Sequence, residues 1–170
     1  MKIIEDRNLI NFNEEKTINF ILHNIKYNLS AHSVSDDNVP FFNHVLIHKD
    51  TNEITSEYAY FFMSLFYRFC NRHNYLITKF LRMCINITSS CTNETKQHLD
   101  HEGKEHFQSI LYLNDIDGST DIFTKEGVCN IMPEKNKFIL FDNVLHKANP
   151  PSNNLRKIVV CTFEGKNGNR

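Results

Sequence analysis

Two histidines, one aspartate and one arginine carry the chemistry legible in this chain: His98 and Asp100, then His146 and, ten positions further on, Arg156. Side chains of an extended segment alternate between two faces, so His98 and Asp100 share one of them. A second His arriving from a distant strand completes three ligands on one side of a metal. Two imidazoles and one carboxylate leave coordination positions open opposite them, an arrangement that suits non-haem Fe(II) activating dioxygen. Arg156 would stand one strand-length away, where a planar guanidinium can grip a carboxylate through two parallel hydrogen bonds. The four residues together read as a metal site with a co-substrate anchor.

His-x-Asp alone is weak, because nine His and 20 acidic residues in 170 allow it by chance. His48-Lys49-Asp50 is a second instance, and Thr51-Asn52-Glu53 after it reads as a turn. His98-Leu99-Asp100 differs in opening a strand-rich half that contains His146 and Arg156. His101 and His106 read as solvated loop histidines, Asp117 as a turn former, and Lys147 as a solvated neighbour of His146. His101-Glu102 does not begin a His-Glu-x-x-His zinc motif, because position 105 is Glu.

Holding such ligands requires sheets. Residues 2–4 and 9–10 can form strand, and Asn13-Glu14-Glu15 reads as a capped helix start followed by Ile18, Ile21, Leu22 and Ile25. Residues 30–40 read as loop and 41–48 as strand. Thr55-Ser56-Glu57 opens a second helix whose Tyr58, Phe61, Phe62, Leu65, Phe66 and Phe69 form an apolar stripe at helical spacing. This stripe should lie on the outside of a sheet.

From Tyr75 the period becomes two. Leu81, Met83, Ile85 and Ile87 should face the helix, while Phe80, Arg82, Cys84 and Asn86 face inward. Polar side chains on an inner face are costly unless a polar cavity receives them. Residues 107–114 form another strand, with Gln108, Ile110 and Tyr112 on one face. Shorter strands at 121–123, 128–132, 137–141 and 156–163 follow, punctuated by turn residues. The expected class is mainly β with N-terminal supporting helices (α+β), closing as a jelly-roll or cupin-like double-stranded β-helix. One domain of 1–170 is expected: supporting strands and helices over 1–74, a site-bearing core over 75–164 and a flexible tail over 165–170.

Arg156 shares a strand face with Ile158, Val160 and Thr162. A buried guanidinium on that face needs a carboxylate, and so does Arg82 on its neighbour. No acid on the adjoining faces answers either, whereas a bound dicarboxylate would answer one of them.

Composition bounds the rest. A formal charge of −1 gives no general attraction to nucleic acid or to an anionic membrane. Five Cys, odd in number and without a Cys-x-x-Cys pair, suggest buried thiols rather than a disulfide framework or zinc knuckle. No signal peptide is recognised, and no apolar run approaches the ~18 residues of a membrane span. A cytoplasmic setting is expected.

The stretch His98-Leu99-Asp100, Ser109 to Asn114, Asp117-Gly118-Ser119-Thr120, Pro133 to Asn143, His146, Pro150-Pro151 and Arg156 resembles the 2-oxoglutarate/Fe(II)-dependent oxygenases. Within them it is most similar to the prolyl-4-hydroxylase-like branch, including small versions carried by bacteriophages, for which the setting would be the host cytoplasm. The similarity is strong over 82–163 and weaker upstream. It implies Fe(II) held by His98, Asp100 and His146, and 2-oxoglutarate anchored by Arg156 with Tyr112 donating a hydrogen bond. It places Arg82 and Asn86 among the residues lining the co-substrate or substrate cavity. It further implies O2-dependent decarboxylation of 2-oxoglutarate to succinate and CO2, coupled to hydroxylation of a substrate C–H bond.

Some positions depart from the family pattern. Asn136 stands where a turn Gly is usual, and Asn tolerates positive φ. Gly118-Ser119-Thr120 replaces a double-Gly form. Asp100 is retained, unlike in related halogenases, which favours hydroxylation or desaturation. Thr162 stands six positions after the anchor, where the nucleic-acid-dealkylating branch carries a second Arg. A peptidyl residue, such as prolyl, or a small molecule is the favoured substrate, with no nucleic acid indicated. The alternatives are a non-catalytic cupin-like module binding a metal or ligand, against which Arg156 weighs, and a zinc hydrolase, for which only Glu102 could serve as base.

Overall fold

The computed structural model describes residues 3–32 and 37–168. The Phe-rich stripe forms helix α2 (Ala59–Arg72), which buries Phe62, Leu65, Phe66, Phe69 and Cys70. Phe66 meets Phe138 edge-on at 5.5 Å, and Phe69 stacks on the same ring at 4.9 Å. Helix α1 (Phe12–Asn24) adds Ile18 and Ile21 to this layer. These side chains cover one face of a seven-stranded antiparallel sheet in the order β1-β8-β5-β10-β4-β3-β2. Its strands are β1 (Ile4–Asp6), β2 (Asn28–Ser30), β3 (Phe41–Ile47), β4 (Tyr75–Ser89), β5 (Phe107–Tyr112), β8 (Phe138–Asp142) and β10 (Leu155–Asn167). Met83, Ile85, Leu111, Leu140 and Val159 point into this helix-side core, as the period-two pattern requires.

The other face looks into the protein. Cys84, Ile110, Tyr112, Ile139, Phe141, Ile158 and Val160 pack there against Ile122 and Ile131 of a second sheet. That sheet has the order β7-β6-β9, built from β6 (Thr120–Thr124), β7 (Gly127–Ile131) and β9 (His146–Ala148). The result is the expected mainly-β double-stranded β-helix with helices outside.

Several boundaries differ from expectation. The α1 cap is Asn11 rather than Asn13. Its side chain accepts from the Asn13 and Glu14 amides, while the Glu14 carboxylate accepts from the Asn11 amide, forming a capping box. Helix α2 begins at Ala59 because Thr55 is held by β3, its amide donating to Leu46 O and its hydroxyl to Val45 O. Phe80 faces the helices instead of the interior. A bulge shifts the β4–β10 register between Thr162↔Arg82 and Phe163↔Phe80, and one extra residue flips every side chain beyond it. Gly165–Asn167, expected to fray, pairs with residues 75–77. The first-strand expectation at Lys2, part of the 30–40 loop and residues 169–170 lie outside the described residues. Asn28–Ser30 and His146–Ala148 are strands that period and propensity did not reveal.

The turns carry out their expected chemistry. Asn136 adopts φ 66°, the left-handed conformation for which Gly is the usual residue. Gly118 (φ 90°) lies against Asn149–Pro151, where a Cβ would come within 2.6 Å of Pro151 N. No helix among the described residues is long and apolar enough to cross a membrane, and all five cysteines are free thiols.

Candidate metal centre

The segment before Asp100 is loop rather than regular strand, and it is secured to β9 by four hydrogen bonds, three between backbone groups and one to a side chain. The Thr95 amide donates to Ala148 O and the Ala148 amide to Thr95 Oγ1. His98 and His146 then exchange both amide–carbonyl bonds, at 3.0 and 3.1 Å. A reciprocal antiparallel pair of this kind sets the two side chains on one face, and the rings are 4.4 Å apart between centroids. One donor atom each from His98, Asp100 and His146 lies within 4.8 Å of the others. Ligand atoms held ~2 Å from a common ion must be ~3–4 Å apart, so little contraction is needed.

Each ring already has its tautomer selected. His98 Nδ1 sits 2.9 Å from Lys96 O and His146 Nδ1 sits 3.1 Å from Val144 O. A carbonyl only accepts, so the proton resides on Nδ1 and Nε2 is left with a lone pair. Burial pushes His146 down to about 4, keeping it neutral and ligand-ready. Burial opposes the charge on Asp100, but Arg82 beside it and the two imidazoles hold its carboxyl below the usual range. Asp100 Oδ1 accepts from Arg82 Nη1 at 3.1 Å, whereas Oδ2 is buried with no partner among the described residues.

A cleft opens from these three residues between the sheets, with Arg82, Asn86, Gln108, Thr120 and Arg156 also in its walls. Arg156 is 1% exposed, and no carboxylate among the described residues pairs with it. Its Nη2 donates to Thr120 Oγ1 at 2.6 Å and its Nε has no partner. Burial lowers its pKa, with Tyr112 beside it acting in the opposite direction.

Tyr112 lies behind this layer. Its hydroxyl donates to the same Thr120 Oγ1 at 2.8 Å, placing Thr120 between the tyrosine and the cleft. Asn86 lines the cleft with its Oδ1 buried and unpartnered.

Sequence reasoning left two points to be corrected here. An acid does answer Arg82: it is Asp100, delivered by the loop rather than by an adjoining strand. His101 and His106 are buried, not solvated. Their rings meet edge-on at 4.9 Å, and His101 Nε2 lies 2.7 Å from Thr162 Oγ1, tying the loop to β10. Burial pushes His101 down to about 4. The decoy His48-x-Asp50 is an exposed turn in which the Asn52 amide bonds to His48 O. Gln108 and Thr120 were missed as site residues. Strand parity alone put Gln108 on the inner face beside Tyr112, and that was the available signal.

No family model matches the sequence, and no curated protein sequence matches it. Solved structures do match its shape. A 2OG-Fe(II) oxygenase family oxidoreductase from Burkholderia pseudomallei superposes with a TM-score of 0.76 at 12% identity, over 98% of this chain and 88% of that one. A Pseudomonas putida prolyl-4-hydroxylase gives 0.66 at 12% identity, over 95% and 92%. A Trichoplax adhaerens prolyl hydroxylase, in complex with a hypoxia inducible factor oxygen degradation domain peptide fragment, gives 0.68 at 14% identity, over 95% and 82%. With its His-Asp-His cluster at the mouth of the inter-sheet cleft, this chain has the double-stranded β-helix fold of the 2OG-Fe(II) oxygenases.

Proposed function

We propose that this protein is an Fe(II)- and 2-oxoglutarate-dependent dioxygenase that hydroxylates a C–H bond of a peptidyl residue, such as prolyl, or of a small molecule, releasing succinate and CO2. One observation carries the reading: a three-ligand cluster with a free buried carboxylate oxygen shares a cleft with a buried guanidinium that no protein carboxylate neutralises. An unpaired buried charge is expensive. A diacid that reaches the metal with one end would compensate it.

In this reading His98, Asp100 and His146 hold the ferrous ion on one side. Arg156 takes the far carboxylate of 2-oxoglutarate. Thr120 Oγ1 already accepts from both Tyr112 and Arg156, so its own hydrogen is free to donate into the cleft, and Tyr112 acts through it. Arg82 orients Asp100 beside the two imidazoles, and Asn86 contacts co-substrate or substrate. When bound, iron and 2-oxoglutarate supply the electrons that divide dioxygen, one oxygen atom going to succinate and the other to the substrate. Ile110, Ile158 and Val160 give the cleft an apolar floor that limits bulk water around the reacting groups.

The peptide-bound Trichoplax neighbour supports a peptidyl substrate. Free thiols suit a reducing cytoplasm. The test is succinate formation by the iron-loaded protein under air, with prolyl peptides and small-molecule panels, against Asp100→Ala and iron-free controls. Iron- and Asp100-dependent succinate is expected. Its absence under every condition would favour the non-catalytic ligand-binding module.

A further inference from the structure

Gln108 lies on the cleft wall, 3% exposed, and its Nε2 sits 3.0 Å from His146 Nε2. Because His146 Nδ1 carries its proton toward Val144 O, Nε2 can only accept, so the amide N–H is the donor. The nitrogen that Gln108 occupies is the one a metal must take. Metal binding therefore strips a buried amide of its acceptor, and a buried donor left unsatisfied is costly. An oxygen atom occupying the metal's open side would offer this amide a new acceptor.

Resting on the oxygenase reading, we propose that Gln108 is a positioning residue for the co-substrate. In the metal-free protein its amide caps His146, and in the loaded protein it donates to the oxygens of the 2-oxo acid end of 2-oxoglutarate.

Register supports the assignment. Gln108 pairs with Thr162 across β5–β10, six residues along β10 from Arg156. Gln108 and Arg156 thus stand toward opposite ends of the cleft floor, and both line the cleft that holds the metal cluster. Arg82, which pairs with the same Thr162 from β4, is committed to Asp100. Gln108 is accordingly the inner-face amide at the metal end that metal binding releases.

The experiment compares the full-length protein with Gln108→Leu and Gln108→Glu. Mn(II) affinity is measured without co-substrate, and 2-oxoglutarate affinity is then measured calorimetrically on Mn(II)-loaded protein. Gln108→Leu should bind Mn(II) at least as tightly as the parent, since no amide competes for His146, and 2-oxoglutarate about tenfold more weakly. Gln108→Glu should weaken 2-oxoglutarate further, because an ionised carboxylate then faces the diacid, while Mn(II) binding is retained or tightened. Parallel loss of both affinities in both variants would reveal a merely structural role and overturn the proposal. So would unchanged 2-oxoglutarate affinity in Gln108→Leu. If the parent itself binds no 2-oxoglutarate, the oxygenase reading falls and takes this inference with it. Binding by the parent that Gln108→Leu leaves intact sinks only the inference.

Discussion

Arg82 and Asp100 form an ion pair of 3.1 Å between Nη1 and Oδ1, which leaves the second aspartate oxygen buried and free. The pair is asymmetric in a useful way. One oxygen accepts from the guanidinium, and the other has no hydrogen-bond partner among the described residues. Without Arg82, the same carboxylate would be a buried charge lacking its guanidinium partner.

Substituting Arg82 should therefore damage metal binding before it damages anything else. Arg82→Met is expected to weaken Fe(II) or Mn(II) by about 10–100-fold, the usual cost of losing a group that orients a ligand. Affinity for 2-oxoglutarate at saturating metal should change little. Metal titration followed by co-substrate titration separates the two.

Arg156→Met should do the reverse. Removing the proposed anchor is expected to cost about 2–5 kcal/mol of 2-oxoglutarate binding, with metal affinity preserved. The ligand-free variant should be no less stable than the parent, because the guanidinium it loses is buried without an acid partner. A fall of several degrees in its melting temperature would contradict that account.

Acid should destabilise the metal-free protein through its buried histidines. Burial lowers His146 and His101 from 6.5 to about 4 in the fold. The unfolded chain therefore takes up protons that the native state refuses between these values, and stability falls as pH drops from about 6.5 to about 4. Carboxylates held low add their own loss at more acid pH, Glu14 and Glu134 as pH falls below 4.5 and Asp6 and Asp100 as it falls below 3.8. Urea midpoints at pH 7 and pH 5 should differ, and His101→Gln should narrow the gap.

Gly118→Ala should be among the most damaging small substitutions. A Cβ there would sit 2.6 Å from Pro151 N and 2.8 Å from Pro150 C, at a φ of 90° that L residues avoid. The turn before Thr120 would have to move, and Thr120 is the hydroxyl bridging Tyr112 and Arg156. A loss of about 1–3 kcal/mol in stability, with weakened 2-oxoglutarate binding, is expected by denaturation and calorimetry.

The sequence by itself determined which residue types and spacings could form a metal site. His98, Asp100, His146 and Arg156 stood out by residue type and spacing, although the segment carrying His98 and Asp100 is loop rather than regular strand; elsewhere strand alternation was legible because parity depends on counting residues, not on knowing neighbours. The same rule put Met83 and Ile85 on the helix side and Gln108 inward, and the positive φ of Asn136 followed from its residue type. What only the tertiary structure decided was which groups meet across segments distant in the chain. The bulge that turned Phe80 outward, the loop that brought Asp100 to Arg82, the burial of His101 against Thr162 and the contact between Gln108 and His146 all depend on register between strands. Register is set by cooperative packing of two sheets and two helices, so no local run of residues contains it.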